Sequence, residues 1–241
     1  MKDETTKGVE SQTVSETPRR PHRQESVVDA KQDMGNIPGM KKGPFHNRSP
    51  IVLASGSPRR RELLADLGLT FDVHPSPLEE PLPEPGESSA DYVLRMARLK
   101  TLDVAARFRG ATIVGADTAV VLNDRIMGKP QSKLDALEML ATLSGATHQV
   151  VSGFCVVLPD GETLSEAVST DVDMRESTED ELMSYIETGE PMDKAGAYAI
   201  QGVGTFLVTA IRGSYTNVVG LPITRMLKTL IQRGVVVPGG R

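Results

Sequence analysis

The chain has 241 residues, with 27 Lys and Arg against 32 Asp and Glu, a formal net charge of −5 and 39% hydrophobic content. That apolar content, at this length, supports one large domain or two lobes and argues against a chain disordered throughout. Net acidity argues against a general nucleic-acid surface, and a lone cysteine, Cys155, excludes an internal disulfide.

Residues 1–48 read as a flexible, disordered extension: basic, rich in Ser, Thr, Pro and Gly, with Phe45 as the sole aromatic and no apolar periodicity. Residues 49–241 then form the folded domain. Arg19 and Arg20 are not followed by an apolar run, so they are no export signal, and no stretch approaches the ~20 apolar residues of a spanning helix. A cytoplasmic protein without a membrane is expected. Cys155 lies within the apolar VSGFCVVL and is expected to pack as a small buried residue. His22 and His46 fall in the extension, and His74 and His148 are far apart, which gives no zinc spacing.

The first strand is Ile51-Val52-Leu53, followed by ASGSPRRRELL (54–64). Ser57 suits an N-cap, Pro58 the first helical position, and Leu63, Leu64 and Leu67 recur at helical spacing. Arg59, Arg60 and Arg61 then crowd the end of the helix that carries partial positive charge, where an anion is favoured. A bound phosphate would relieve that mismatch. FDVHP (71–75) reads as a strand, and the proline-rich acidic loop after it holds Glu79 and Glu80. Ser88 or Ser89 caps a long helix reaching about Phe108, with Tyr92, Met96, Leu99 and Val104 among its apolar positions.

ATIVGADTAVVLNDRIMGKP predicts a strand, a short polar interruption, a second strand and a tight Asn123-Asp124 turn. Ser132 opens a helix with Asp135 in capping-box position, Leu134, Leu137 and Leu140 along one side and Gly145 past its end. Two long strands, THQVVSGFCVVLP and TLSEAVSTDVDMR, meet at Pro159-Asp160-Gly161. Thr178 with Glu181 forms a second capping box for a helix that Gly189 stops. A glycine-punctuated segment, the strand TFLVTAI, the loop RGSYTNVVG and a helix entered through Pro222 complete the chain. Mixed elements with a long hairpin predict α/β architecture with a mixed sheet.

Asp117 interrupts IVGADTAVVL, where a carboxylate is expensive to bury without a cation or hydrogen-bond donors. Two readings compete: a structural Asp at a strand end, and a catalytic one. Lys100 and Lys129 are candidates to neutralise a phosphate near it. Glu79 and Glu80 with Asp117 would supply the oxygen ligands that Mg²⁺ prefers. Asp193, Lys194 and Gln201 lie between glycines that let backbone approach a ligand, and a glutamine both donates and accepts, as reading a base edge requires. Neither a Walker A loop nor a strand followed by GxGxxG is present.

LASGSPRRRELL, VGADTAVVLNDRIMGKP, LSGATHQVVSG, EPMDKAGAYAIQG and GSYTNVVGLP occur together and in order. Over about residues 50–233 the sequence thereby resembles the Maf (septum formation) family of nucleotide pyrophosphatases. The resemblance implies an elongated, mixed, twisted sheet flanked by helices, with two lobes around a central cleft and, as an expectation, a homodimer. It implies hydrolysis of nucleoside triphosphates, dTTP and UTP in the branch carrying DKAGAY and IQG, to the monophosphate and pyrophosphate with Mg²⁺ or Mn²⁺. Asp117 then matches the proton acceptor, and Asp117 with Glu80 the metal side. Arg60, Thr118 and Gln201 match positions of substrate choice, with Ser55, Ser57, Lys100 and Lys129 as further polar substrate contacts. Ala199 departs from the family, which usually has glycine there, and its methyl group bears on base preference. Modified nucleotides as substrates, or a nucleotide-sensing division regulator with little turnover, are the rival readings.

Overall fold

A computed structural model of the chain describes residues 43–239. The expectations for Arg19, Arg20 and His22 lie outside the described residues. The fold is a mixed α/β one. Strands β1 (Phe45–Asn47), β2 (Ile51–Leu53), β3 (Asp72–Val73), β4 (Thr112–Leu122), β5 (Arg125–Met127), β6 (Thr147–Val157), β7 (Thr163–Met174), β8 (Val208–Arg212) and β9 (Val236–Pro238) alternate with six helices. These are α1 (Pro58–Asp66), α2 (Ser89–Ala105), α3 (Lys133–Leu143), α4 (Glu179–Glu187), α5 (Tyr215–Val219) and α6 (Ile223–Gln232).

The main sheet runs β3-β2-β4-β6-β7-β8, with β5 added to β4. Pairings of β2 with β3 and β4 are parallel and the remaining ones antiparallel, as a mixed sheet requires. The β6–β7 hairpin forms as its turn sequence predicts, and the type of turn at Asn123-Asp124 follows from the left-handed backbone of both residues (φ 48° and 61°). Ser88, Ser132 and Thr178 each accept a hydrogen bond from the third residue on, and Thr178 with Glu181 completes a reciprocal capping box.

Several local expectations are corrected. The predicted extension reaches too far, because Phe45–Asn47 pair with Val236–Pro238 and Phe45 packs on the core. Its strand partner lies at the far end of the chain, which no local pattern reveals. β4 has no polar interruption: Asp117 sits in register with Gly153, and its backbone stays in the ladder. Residues 205–207 belong to a 3₁₀ turn and the strand starts at Val208, while 215–219, expected as loop, form α5. Leu99 and Leu134 are exposed at 40% and 65%; the buried positions of α2 are Val93, Met96, Ala97, Thr101 and Val104.

Two of the four apolar clusters among the described residues matter most for the cleft. One gathers Leu53, Leu64, Val114, Ala116, Leu221 and Met226, and the other Val120, Met127, Leu140, Val150, Tyr185 and Leu207. Strand β4 runs through both, so Asp117 and Thr118 fall at their junction. On the far face α2 lies close against the sheet, because Gly115 and Gly153 carry no side chain: a Cβ at 115 would stand 2.2 Å from Thr101 Oγ1, and one at 153 would stand 2.8 Å from the Val93 carbonyl. Cys155 is fully buried in that seam, and its thiol is pushed up by burial.

Candidate functional site

The site exists because one edge of β4 is left open. Strand β2 pairs with β4 only as far as Val114, and β5 takes up the same edge again at Val120. Between them the strand faces a cleft of about 590 Å³, lined by the start of α1, the Ser76–Glu80 loop, Lys129 and the 193–200 segment.

Asp117 points from β4 toward α2, and there Lys100 meets it. Lys100 Nζ lies 2.6 Å from Asp117 Oδ1 and 2.6 Å from Glu80 Oε1. The side chains of Asp117 and Lys100 are 8% and 15% exposed, whereas Glu80 is about half exposed. Burial alone would raise the Glu80 pKa, but the hydrogen bond and charge of Lys100, with Lys129 and Arg60 behind it, hold its carboxyl below the ordinary value. Among the described residues the second oxygen of Asp117 has no protein hydrogen bond, which leaves a lone pair for a ligand in the cleft.

Two carboxylates thus converge on one cation position, filled by an ammonium group. Among the described residues no cluster of three His, Cys, Asp or Glu side chains forms a protein-only metal cage. An oxygen-only pair does fit Mg²⁺ or Mn²⁺ shared with phosphate oxygens and water, the arrangement such ions take at phosphate sites. Glu79 is exposed and stands outside the cleft lining.

Arg60 occupies a different position from the one its charge suggests. Its Nε donates to the Gly220 carbonyl at 2.8 Å, Nη1 to the Ala116 carbonyl at 2.7 Å and to Ser55 Oγ at 3.1 Å, and Nη2 to Thr118 Oγ1 at 3.1 Å. Four of the five N–H groups a guanidinium offers are therefore spent on the protein. Burial works against its charge, and the fields of Asp117 and Glu80 support it. The Ala116 carbonyl is one that the truncated β2 leaves without a strand partner, so Arg60 finishes the ladder. Thr118 Oγ1 also meets Ser152 Oγ at 2.8 Å, and Ser152 donates to the carbonyl of Asn217, whose amide bonds the Val150 carbonyl and Thr170 Oγ1. Arg60 and Thr118 are thus the front of a buried polar chain. Its rear members, Ser152, Asn217 and Thr170, carry no local sequence signal for this chain, since the partners within it are 34 to 67 residues apart.

Arg59 is the neighbouring cation that remains unspent. It lines the cleft and, among the described residues, makes no hydrogen bond or ion pair. Ser55 and Ser57 line the same wall; Ser55 Oγ accepts from the Ser57 amide as well as from Arg60. Ser57 caps α1 by backbone position only, with no side-chain bond, so no side chain of the cap takes up a first-turn N–H group. Lys129 is exposed within the cleft, and Lys194, also in its lining, pairs with Asp193. Gln201 is not part of the lining: the wall ends with Ala199 and Ile200, immediately before it. Ala199, buried at 2%, belongs to that wall.

Beside the cleft, Gly196 and Ala197 both have positive φ, 66° and 58°. Gly196 is obligatory there, since a Cβ would sit 2.9 Å from Val120 Cγ1. The sharp turn delivers Tyr198 to the cleft, where its hydroxyl meets buried His148 Nε2 at 2.7 Å.

A family model describing Maf-like proteins matches residues 50–233. The chain is 50% identical over 200 residues to a dTTP/UTP pyrophosphatase of Oleidesulfovibrio alaskensis, covering 82% of this chain and 91% of the relative. It is 50% identical over 194 residues to one of Nitratidesulfovibrio vulgaris, covering 80% and 92%. A dTTP/UTP pyrophosphatase of Geobacter sulfurreducens is 50% identical over 186 residues, covering 76% and 96%.

Proposed function

The chain belongs to the Maf family, and on that footing we propose that it is a nucleoside triphosphate pyrophosphatase that converts dTTP and UTP to the monophosphate and pyrophosphate. The observation that carries this reading is a buried carboxylate, Asp117, fixed by Lys100 on one oxygen and free on the other, in a cleft that also gathers Arg59, Lys129 and Lys194.

In this reading the triphosphate lies along the cationic end of the cleft. Arg59, Lys129 and Lys194 take its oxygens, and the free N–H groups at the start of α1 add directed donors. Arg60 positions: by tying Ala116, Thr118 and Gly220 together it fixes the strand edge along which the phosphates lie. Water attacks the α-phosphorus, Asp117 Oδ2 orients it and accepts its proton, and the α–β anhydride bond breaks with pyrophosphate leaving. A divalent cation held by Glu80 and Asp117 would supply charge neutralisation on the phosphates. Lys100 orients both carboxylates and adds its own positive charge next to the developing negative charge.

The apolar part of the lining, including Val120, Met127, Val150, Ala199 and Ile200, suits the base. Ala199 narrows this end by one methyl group relative to glycine. Gln201 reaches the base only if the turn that carries it moves inward when nucleotide binds. The test is a panel of canonical and modified nucleoside triphosphates with Mg²⁺ or Mn²⁺, followed by pyrophosphate release. Preference for dTTP and UTP supports the reading; a purine preference contradicts the base assignment, and binding without turnover contradicts the enzyme.

A further inference from the structure

The turn that closes the apolar end of the cleft is held by a carboxylate outside the lining. Glu190 Oε1 accepts from the Gly204 amide at 2.8 Å, and Oε2 accepts from the Val203 amide at 2.9 Å. Tyr185 OH donates to Glu190 Oε1 at 2.9 Å and accepts from the Ala199 amide at 3.2 Å. Three backbone amides of one short turn therefore converge on a single Tyr–Glu pair.

The turn is shaped around that pair. A Cβ at Gly202, where φ is 94°, would stand 2.3 Å from Glu190 Oε2, and one at Gly204 would stand 2.5 Å from Tyr185 OH. Ala199 and Ile200, at the start of the turn, line the cleft, and Gln201 follows directly. The amides at 199, 203 and 204 thus take side-chain acceptors where a strand or helix would supply carbonyls, and fixing the turn in this way sets the positions of its side chains. Five influences act on the Glu190 carboxylate: burial works against its charge, while the two amides, the Tyr185 hydroxyl and the field of Arg59 keep its pKa below the ordinary value.

We propose that Glu190, acting with Tyr185, is a positioning residue that fixes the Ala199–Gly204 turn and so sets how the cleft discriminates the base of its nucleotide. The inference rests on the pyrophosphatase reading above. Glu190 touches no reacting atom, so its removal acts on recognition and leaves the carboxylate chemistry at Asp117 in place.

The experiment compares wild type with Glu190→Ala, Glu190→Gln and Tyr185→Phe, using full-length protein and measuring kcat and KM for pyrophosphate release from UTP, dTTP and ATP. Glu190→Ala and Tyr185→Phe are expected to raise KM for the two pyrimidine nucleotides ~10-fold, to change kcat less than ~3-fold, and to cut the preference for UTP over ATP ~10-fold. Glu190→Gln keeps one acceptor oxygen for Tyr185 and Gly204 and falls between. Should Glu190→Ala not fold, the other two variants, each with an intact melting transition, carry the comparison. Folded variants that keep the wild-type preference, or that lose kcat equally for all three nucleotides, overturn the proposal alone. A wild-type enzyme with no pyrimidine preference overturns the reading beneath it as well.

Discussion

Lys100 and Asp117 form a 2.6 Å ion pair across the seam between α2 and the sheet, and the same ammonium holds Glu80 at 2.6 Å. The close approach of helix to strand at Gly115 and Gly153 makes that reach available to a lysine. Everything proposed for the site follows from this one cation between two carboxylates.

Replacing Lys100 by Met leaves the two carboxylates facing each other without their cation. Turnover is expected to fall ~100-fold, the scale on which a single electrostatic group acts at a reacting centre. The Glu80 carboxyl should also titrate higher. Because its folded pKa lies below the unfolded value of 4.5, its pairing adds stability above that pH and loses it as the pH falls through the folded value. Glu80 is half exposed, so this contribution is small. Denaturant midpoints measured between pH 5 and 3 should depend less on pH in the variant than in wild type, and an unchanged slope contradicts the pairing.

Arg59 and Arg60 should separate cleanly. Arg60→Lys cannot reproduce a fork that spans Ala116, Thr118 and Gly220, and removing those bonds should cost about 2–4 kcal/mol of stability in chemical denaturation. Arg59→Ala should leave stability within ~0.5 kcal/mol, since a cation at a helix N-terminus is unfavourable there without an anion. It should raise KM for the triphosphate. Equal stability losses in both variants contradict the division of roles.

Burial holds His148 down to about 4, against a small opposing effect of Asp173. The unfolded chain binds a proton near 6.5, so between these values it takes up more protons than the folded one and stability falls as the pH drops from 6.5 toward 4. The full effect is on the order of 3 kcal/mol. His148→Asn should remove that part of the pH dependence while lowering stability at neutral pH, because the bond to Tyr198 is lost. Unfolding curves of both proteins at pH 4.5, 5.5 and 7 read the difference; parallel slopes contradict it.

Much of this architecture is legible in the sequence, for identifiable reasons. Helix caps at Ser88, Ser132 and Thr178 are local, since donor and acceptor lie three residues apart. Asp117 stands out because a carboxylate in an apolar strand needs a cation, and Lys100 and Glu80 are candidates for its surroundings on the same ground. The role of Arg60 is less legible. Its acceptors are carbonyls of residues 116 and 220, and a carbonyl leaves no mark in a sequence. The charge pattern at 59–61 therefore marks a mismatch that an anion would relieve, while leaving open which arginine is free to serve one. The β1–β9 pair and the Ser152–Asn217 chain escape for the same reason, being made by partners distant in the chain.

The most direct test is Asp117→Asn, assayed for pyrophosphate release from UTP and dTTP with Mg²⁺. The amide oxygen still accepts from Lys100, so the melting transition should stay close to wild type, while turnover should drop by ~10³ or more through loss of the proton acceptor. A folded Asp117→Asn protein that releases pyrophosphate at the wild-type rate would contradict the account at its centre.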